Sequence, residues 1–259
     1  MTPPTTVSSK EDGWVFKFNA SYEVNDDVMV YAQAAEGFRP GGANQVIGLP
    51  GALTPYDSDS LVNYEIGAKT AWWDNRLTLN FDVYQIDWDN MQVSGRTANG
   101  AFSFISNAGA ARVRGAEIEA FLSPMQGLQL QANASFSDAK LVEDQINPDV
   151  NAPGREGDRI PYIPKATAGV AVQYTWPLSD TLDGMARLDA NYVGSSYSEF
   201  RPTNAFRQKI PDYTLANVRV GVEADEWAAY LYVNNITDEL AYVLKNQSAI
   251  SAGTINGIT

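Results

Sequence analysis

From Trp14 the chain reads WVFKFNASYEV, and this strict alternation of apolar and polar residues is the feature that most narrows what it can fold into. Successive residues of a strand point to opposite faces, so Phe16, Phe18, Ala20 and Tyr22 share one face and Lys17, Asn19, Ser21 and Glu23 the other. The same period of two returns in YEIGAKTAWW, RLTLNFDVY, GAEIEAFL, LQLQANASF, TAGVAVQYTW, ARLDANYV, ANVRVGVE and WAAYLYVNN. The pattern predicts an all-β chain of about ten strands of roughly 10 to 15 residues, longer than the usual ~5 to 6 of globular sheets.

The connections alternate as well. Asn25 to Asp27, Asp74-Asn75, Pro124 to Gly127, Pro177 to Gly184 and Ala224 to Glu226 are short; the connections near 40–60, 94–101, 138–161, 198–211 and from 238 onward are mostly long, the second being the shortest. Short turns at one end and long loops at the other suit an antiparallel up-and-down transmembrane β-barrel segment. The strands match a tilted bilayer crossing of about 9 to 11 residues. Trp72, Trp73, Trp176 and Trp227 all fall beside short turns, as an aromatic girdle at one membrane interface requires. Lys17, Glu23, Glu65, Lys69, Asp82, Glu117, Glu119, Arg187, Asp189, Arg219 and Glu223 fall on the polar face, away from the face that would meet lipid. A soluble β-sandwich, an adhesion or carbohydrate-binding module with its apolar faces turned inward, remains the alternative.

Composition removes other classes. With 31 acidic and 18 basic residues the formal charge is -13, which argues against nucleic acid and against docking onto an anionic lipid surface. The absence of cysteine excludes disulfides and thiolate metal sites, and the absence of histidine excludes imidazole triads and most zinc sites. The apolar run from Trp227 to Val233 is far short of the ~18 residues a spanning helix needs. MTPPTTVSSKEDG lacks a basic start and an apolar core, so an export signal would have to come from outside this sequence.

Four segments in order, VMVYAQAAEGFRPGGANQ, YEIGAKTAWWDNRLTLNFDVYQIDWDNMQV, ISNAGAARVRGAEIEAFLSP and LYVNNITDELAYV, together resemble the carboxyl-terminal half of the barrel in TonB-dependent outer-membrane receptors. The resemblance implies a location in the bacterial outer membrane, in contact with its lipid. It implies a parent with a 22-stranded barrel around an amino-terminal plug, importing a scarce ligand such as a ferric siderophore with energy delivered through TonB. It implies no enzyme and no cofactor. Against that pattern the chain lacks a plug, a TonB-contact segment, half of the strands and a last aromatic-ended strand after NNITD, and so reads as a fragment. The expected division is a disordered lead over 1–12, a partial barrel over 13–243, and a truncated extracellular loop or start of a missing last strand over 244–259. An open sheet in lipid would leave about ten edge backbone groups unpaired at several kcal/mol each, so the chain by itself is not expected to transport.

The resemblance also places Tyr31 to Phe38 on a strand rising to the outer surface. Gly37, Phe38, Arg39, Pro40, Gly41 and Gly42 form its exit: proline removes a ladder donor and the paired glycines permit positive φ. Asn234, Asn235 and Asp238 of NNITD form a turn. Arg39, Arg112, Arg114 and Arg201 fall near the long-loop ends, where they would meet an anionic iron chelate or pair with neighbouring carboxylates. Glu117 with Glu119, and Asp87 with Asp89, sit two apart on a strand at about 6 to 7 Å, a separation that a water-lined wall produces without catalysis. In the 143–158 loop, Asp144, Asn147, Asp149, Asn151 and Asp158 offer oxygen ligands, but their spacing is not that of an EF-hand and a solvated loop is expected.

Overall fold

A computed structural model describes residues 13–147, 150 and 152–245. The expected lead over 1–12, Asp149, Asn151 and nearly all of the expected terminal loop over 244–259 lie outside these residues.

The chain opens with the hairpin β1 (Lys17–Asn25) and β2 (Val28–Arg39). A loop then carries the short pair β3 (Gly42–Ala43) and β4 (Pro55–Tyr56) before β5 (Asp59–Trp72) and β6 (Leu77–Asp89). The hairpin β7 (Gln92–Arg96) and β8 (Ser103–Asn107) stands apart, followed by β9 (Ala111–Met125), β10 (Leu128–Leu141), β11 (Ala166–Ser179) and β12 (Leu182–Val193). The short pair β13 (Ser196–Tyr197) and β14 (Lys209–Ile210) precedes β15 (Tyr213–Ala224) and β16 (Ala228–Val233). Ten of these strands make one antiparallel sheet in the order β1-β2-β5-β6-β9-β10-β11-β12-β15-β16, each beside its predecessor in the wall. Among the described residues no helix is long and apolar enough to cross a membrane.

Register fixes the faces. Ala20, Ala32, Ile66, Val83, Ala116, Phe136 and Ala166 form one continuous row across seven strands, and Ser21, Tyr31, Gly67, Asp82, Glu117, Ser135 and Thr167 form the next row on the opposite face. On the apolar face Ile66 is 59%, Phe136 65% and Val170 57% exposed. A sandwich would cover those side chains with a second sheet about 10 Å away. This wall is a single layer, and its apolar face is the one a bilayer covers. Trp72 ends β5, Trp73 lies in the turn after it and Trp227 directly precedes β16; Trp176 stacks on Tyr174 at 5.6 Å near the same end of β11. The girdle is therefore in place.

Two expectations are corrected. The second long connection is not the shortest: β6 stops at Asp89 and β9 starts at Ala111, because Asn90 (φ 53) and Gly109 (φ 76) turn the chain out of the wall and β7 and β8 pair on their own. Residues that alternate like wall thus belong to a loop hairpin. At the exit after Arg39, neither Gly41 nor Gly42 has a positive φ. They are glycine because of close approach: a Cβ on Gly41 would lie 2.7 Å from the Tyr56 carbonyl oxygen, and one on Gly42 would lie 2.5 Å from the Tyr56 hydroxyl.

Inside the wall, glycine serves a further purpose. The Tyr31 ring lies across Gly67, where a Cβ would meet it at 2.8 Å, and from there its hydroxyl donates to Glu65 at 2.7 Å. Tyr84 covers Gly115 in the same way. Such pairs fill the gap a glycine leaves in a sheet. Gly67→Val in the complete receptor is expected to displace the Tyr31 ring and destabilise the barrel by about 1–3 kcal/mol. The check is the urea concentration at which the heat-modifiable folded band disappears on a gel; an unchanged midpoint would show that the ring is not held there.

The buried apolar core lies at the long-loop end, on the lumen side. Met91, Ala108, Ala111, Val113, Ala139, Leu141, Ile160 and Phe200 cluster there, with Tyr84, Ile86 and Trp88 packed against them. The lumen face of the wall is polar over most of its rows and apolar and buried where loops fold onto it.

Candidate ligand-facing surface at the loop end

The lumen face of the wall is a connected polar surface. Gln33 donates to Glu65 at 2.8 Å, Ser135 to Glu117 at 3.2 Å and Asn217 to Asp189 at 2.7 Å. Glu117 and Glu119 both face this side, whereas Asp87 and Asp89 share the face of Phe81 and Val83. Asp87 is bound there by the Arg112 Nε at 2.5 Å.

Above the wall the loops are tied to one another by ion pairs. Arg39 grips Asp59, which is 3% exposed, donates to the Gln92 carbonyl at 3.2 Å and lies 4.8 Å from the Trp88 ring. The exit residue thus fastens β2 to the loop hairpin. Arg96 of that hairpin reaches Glu199 at 3.2 Å, Asn204 donates to the same carboxylate at 3.2 Å, and the Arg96 guanidinium lies 5.1 Å from the Phe206 ring. Burial pushes the Glu199 carboxyl above its ordinary value, with the hydrogen bond from Arg96 opposing. Arg201 sits 3.8 Å from Asp158, and Arg155 binds Asp144 at 2.7 Å. Between three of these loops runs an open cleft of about 340 Å³, lined in part by Leu53, Phe104, Asn107, Glu143 and Asn147.

The 143–158 loop is organised by protein groups. The Glu156 N–H at 2.9 Å and Arg155 hold the Asp144 carboxyl below the usual carboxylate range, and Asp158 accepts from the Arg155 N–H at 2.8 Å. Asn147 donates to Ser106 at 3.2 Å. Among the described residues no group of three or more acidic side chains is placed to hold a metal ion.

The four arginines do not converge. Arg39 and Arg201 lie on the loop canopy, while Arg112 and Arg114 alternate with Val113 and Gly115 and so share the lipid-side face of Ile118. In NNITD, Asn234 follows β16 directly. The Asn235 backbone N–H donates to Asn217 at 2.9 Å, the Asn235 side-chain oxygen accepts from the Glu239 N–H at 3.0 Å, and Asp238 has φ 51. It is a pinned turn. The Arg96–Glu199–Asn204 cluster had no sequence signal, because its ion pair joins residues 103 apart.

Residues 2–236 match the family described as TonB dependent receptor-like, beta-barrel. The chain belongs to that family. It is 28% identical over 233 residues to the pesticin receptor of Yersinia pestis, covering 89% of this chain and 32% of that protein. It is also 28% identical over 241 residues to the ferric-pyoverdine M114 receptor PbuA of Pseudomonas sp. (strain M114), covering 91% and 27%. The crystal structure of the ferric yersiniabactin uptake receptor FyuA from Yersinia pestis superposes with a TM-score of 0.66 at 27% identity, over 86% of this chain and 32% of that one. The chain therefore spans about a third of the length of the curated relatives it matches. It is a partial outer-membrane barrel of a family of transport receptors.

Proposed function

We propose that the complete receptor containing this segment binds a ferric siderophore at its outer mouth and imports it with energy delivered through TonB. The observation that carries this reading is a canopy of loops, cross-tied by Arg39, Arg96 and Arg201, standing at one end of a wall whose lumen face is polar below the apolar patch on which those loops rest. A hydrated wall suits the passage of a polar chelate, and a rigid mouth suits its capture at low concentration. Relatives named for ferric-pyoverdine and ferric yersiniabactin support the same class of ligand.

Of the four arginines, Arg201 is the one we assign to the ligand. Arg39 is held by Asp59 and Gln92, and Arg112 and Arg114 face away from the lumen, whereas Arg201 reaches Asp158 at a long 3.8 Å. The plug of the parent would seat against the lumen face, where Asp82 stands directly opposite Glu117 and favours a cationic partner. The test is uptake of radioactive iron by cells carrying the complete receptor as their sole siderophore route. Import of at least one ferric siderophore, abolished when TonB is deleted, is expected. Arg201→Ala is expected to weaken binding roughly tenfold. Uptake that persists without TonB, or no import of any ferric chelate offered, would defeat the reading.

A further inference from the structure

The lipid-side face carries a charge pattern that the transport reading does not use. Register places Asp87, Arg112, Lys140 and Arg159 in one row, on β6, β9, β10 and the returning segment after β10. The next row toward the turns holds Gln85, Arg114 and Asp138. Below it come Val83, Ala116 and Phe136, residues of the apolar band. Neighbouring strands stand about 4.8 Å apart, so Arg112, Lys140 and Arg159 are three cations side by side.

Like charges directly opposite one another destabilise a sheet. In a chain of net charge -13, that grouping calls for a compensating anion. The neighbouring carboxylates do not suffice. Arg112 is paired with Asp87 at 2.5 Å and Lys140 with Asp138 at 2.8 Å, while Arg114 contacts the neutral Gln85 at 2.9 Å and Arg159 donates to the Ile163 carbonyl at 3.0 Å. Arg114 also acts on Asp87, so among the described residues the four positive charges share two carboxylates, Asp87 and Asp138, and Asp89 lies one row further out on β6. The Arg112 and Lys140 side chains are 40% and 44% exposed on the open face of the sheet. Ala139, Leu141 and Ile160, which alternate with these cations, are buried in the lumen-side core, which fixes the direction of the basic side chains.

Height decides what the anion is. Arg112 is ten residues from Leu122, which pairs with Leu77 beside the turn-end tryptophans. That is about 34 Å along the strand, or about 26 Å of height at a tilt of ~40°, and the apolar band of such barrels is about 25 Å tall. The row therefore stands at the level of the outer-leaflet head groups. We propose that Arg112, Lys140 and Arg159, flanked by Arg114, form a binding site for the phosphorylated head group of an outer-leaflet lipid. The overall acidity of the chain does not oppose this, because charges beyond a Debye length of about 8 Å are screened. The site rests on the barrel's place in the outer membrane and is independent of which ligand is imported.

The test compares the purified complete receptor with its Arg112→Gln/Lys140→Gln/Arg159→Gln variant in detergent, using bis-phosphorylated lipid A, its dephosphorylated form and inorganic phosphate as probes in native mass spectrometry. The intact receptor is expected to retain bis-phosphorylated lipid A, with roughly hundredfold loss of affinity in the triple variant and weak retention of the dephosphorylated lipid. A single Lys140→Gln receptor, expected to fold normally, should lose several-fold. Equal retention by native and triple-variant receptor, or equal retention of both lipids, would overturn the site. Inorganic phosphate binding as tightly as the lipid would overturn the lipid as its occupant.

Discussion

Arginine at Ile118 is expected to prevent most of the complete receptor from reaching a folded state in the outer membrane. Ile118 lies on the apolar face of β9, midway between the Leu122 row at the turn end and the Arg114 row at the loop end. A cationic side chain there sits near the bilayer midplane, where it costs about 2–4 kcal/mol. Asn133→Arg is the matched control. It lies at similar depth on β10, but faces the lumen opposite Glu119, where a cation gains a partner. The folded fraction, read from heat-modifiable mobility in outer-membrane preparations, should fall sharply for Ile118→Arg and stay near normal for Asn133→Arg. If both assembled equally well, the apolar face would not be the lipid face, and both the barrel orientation and the head-group site would fall with it.

That face assignment was legible in the sequence because a strand has only one structural variable, its period. Once Ile118, Ala120 and Leu122 are set against Glu117 and Glu119, every other residue of the strand is placed. The same parity, followed back four and six residues from Ile118, sets Arg114 and Arg112 on its face, and of the two roles their place near a loop suggested, ligand contact or pairing with a carboxylate, Arg112 takes the second with Asp87. The hairpin of β7 and β8 was hidden for a different reason. Its residues alternate as wall strands do, and what removes them from the wall is the positive φ of Asn90 and Gly109, which is a property of single backbone angles rather than of pattern. Gly41, Gly42, Gly67 and Gly115 mark close approaches to residues on other strands, and no local reading reveals what a glycine makes room for. The loop canopy is the least legible part. Its core joins Met91 and Phe200, which come from two separate connections, to Leu141 at the end of β10.

The canopy also supplies the second large effect. Arg96 is 6% exposed and its ion pair with Glu199 ties the hairpin of β7 and β8 to the connection between β13 and β14. Arg96→Met removes a buried cation and leaves the carboxylate without it, a change that typically costs about 3–5 kcal/mol. The loss should fall on the loops rather than on the wall, whose ladder hydrogen bonds are untouched. Hydrogen exchange over 90–110 and 194–212 is therefore expected to speed up by orders of magnitude while the strands stay protected. Acid partly rescues the variant. Burial already holds the Glu199 carboxyl above its ordinary value of 4.5, so its proton is bound more tightly with the loops closed than open. The resulting contribution to closure is complete below the ordinary value and is lost as pH rises through the raised one. Without Arg96 the carboxyl rises further, so protection of the variant should recover on acidification over a window nearer neutrality than in the native receptor. Glu199→Gln should remove that slope from both. Exchange in these loops that ignored Arg96→Met, or a pH slope that survived Glu199→Gln, would mean that the loops are held by their apolar core alone.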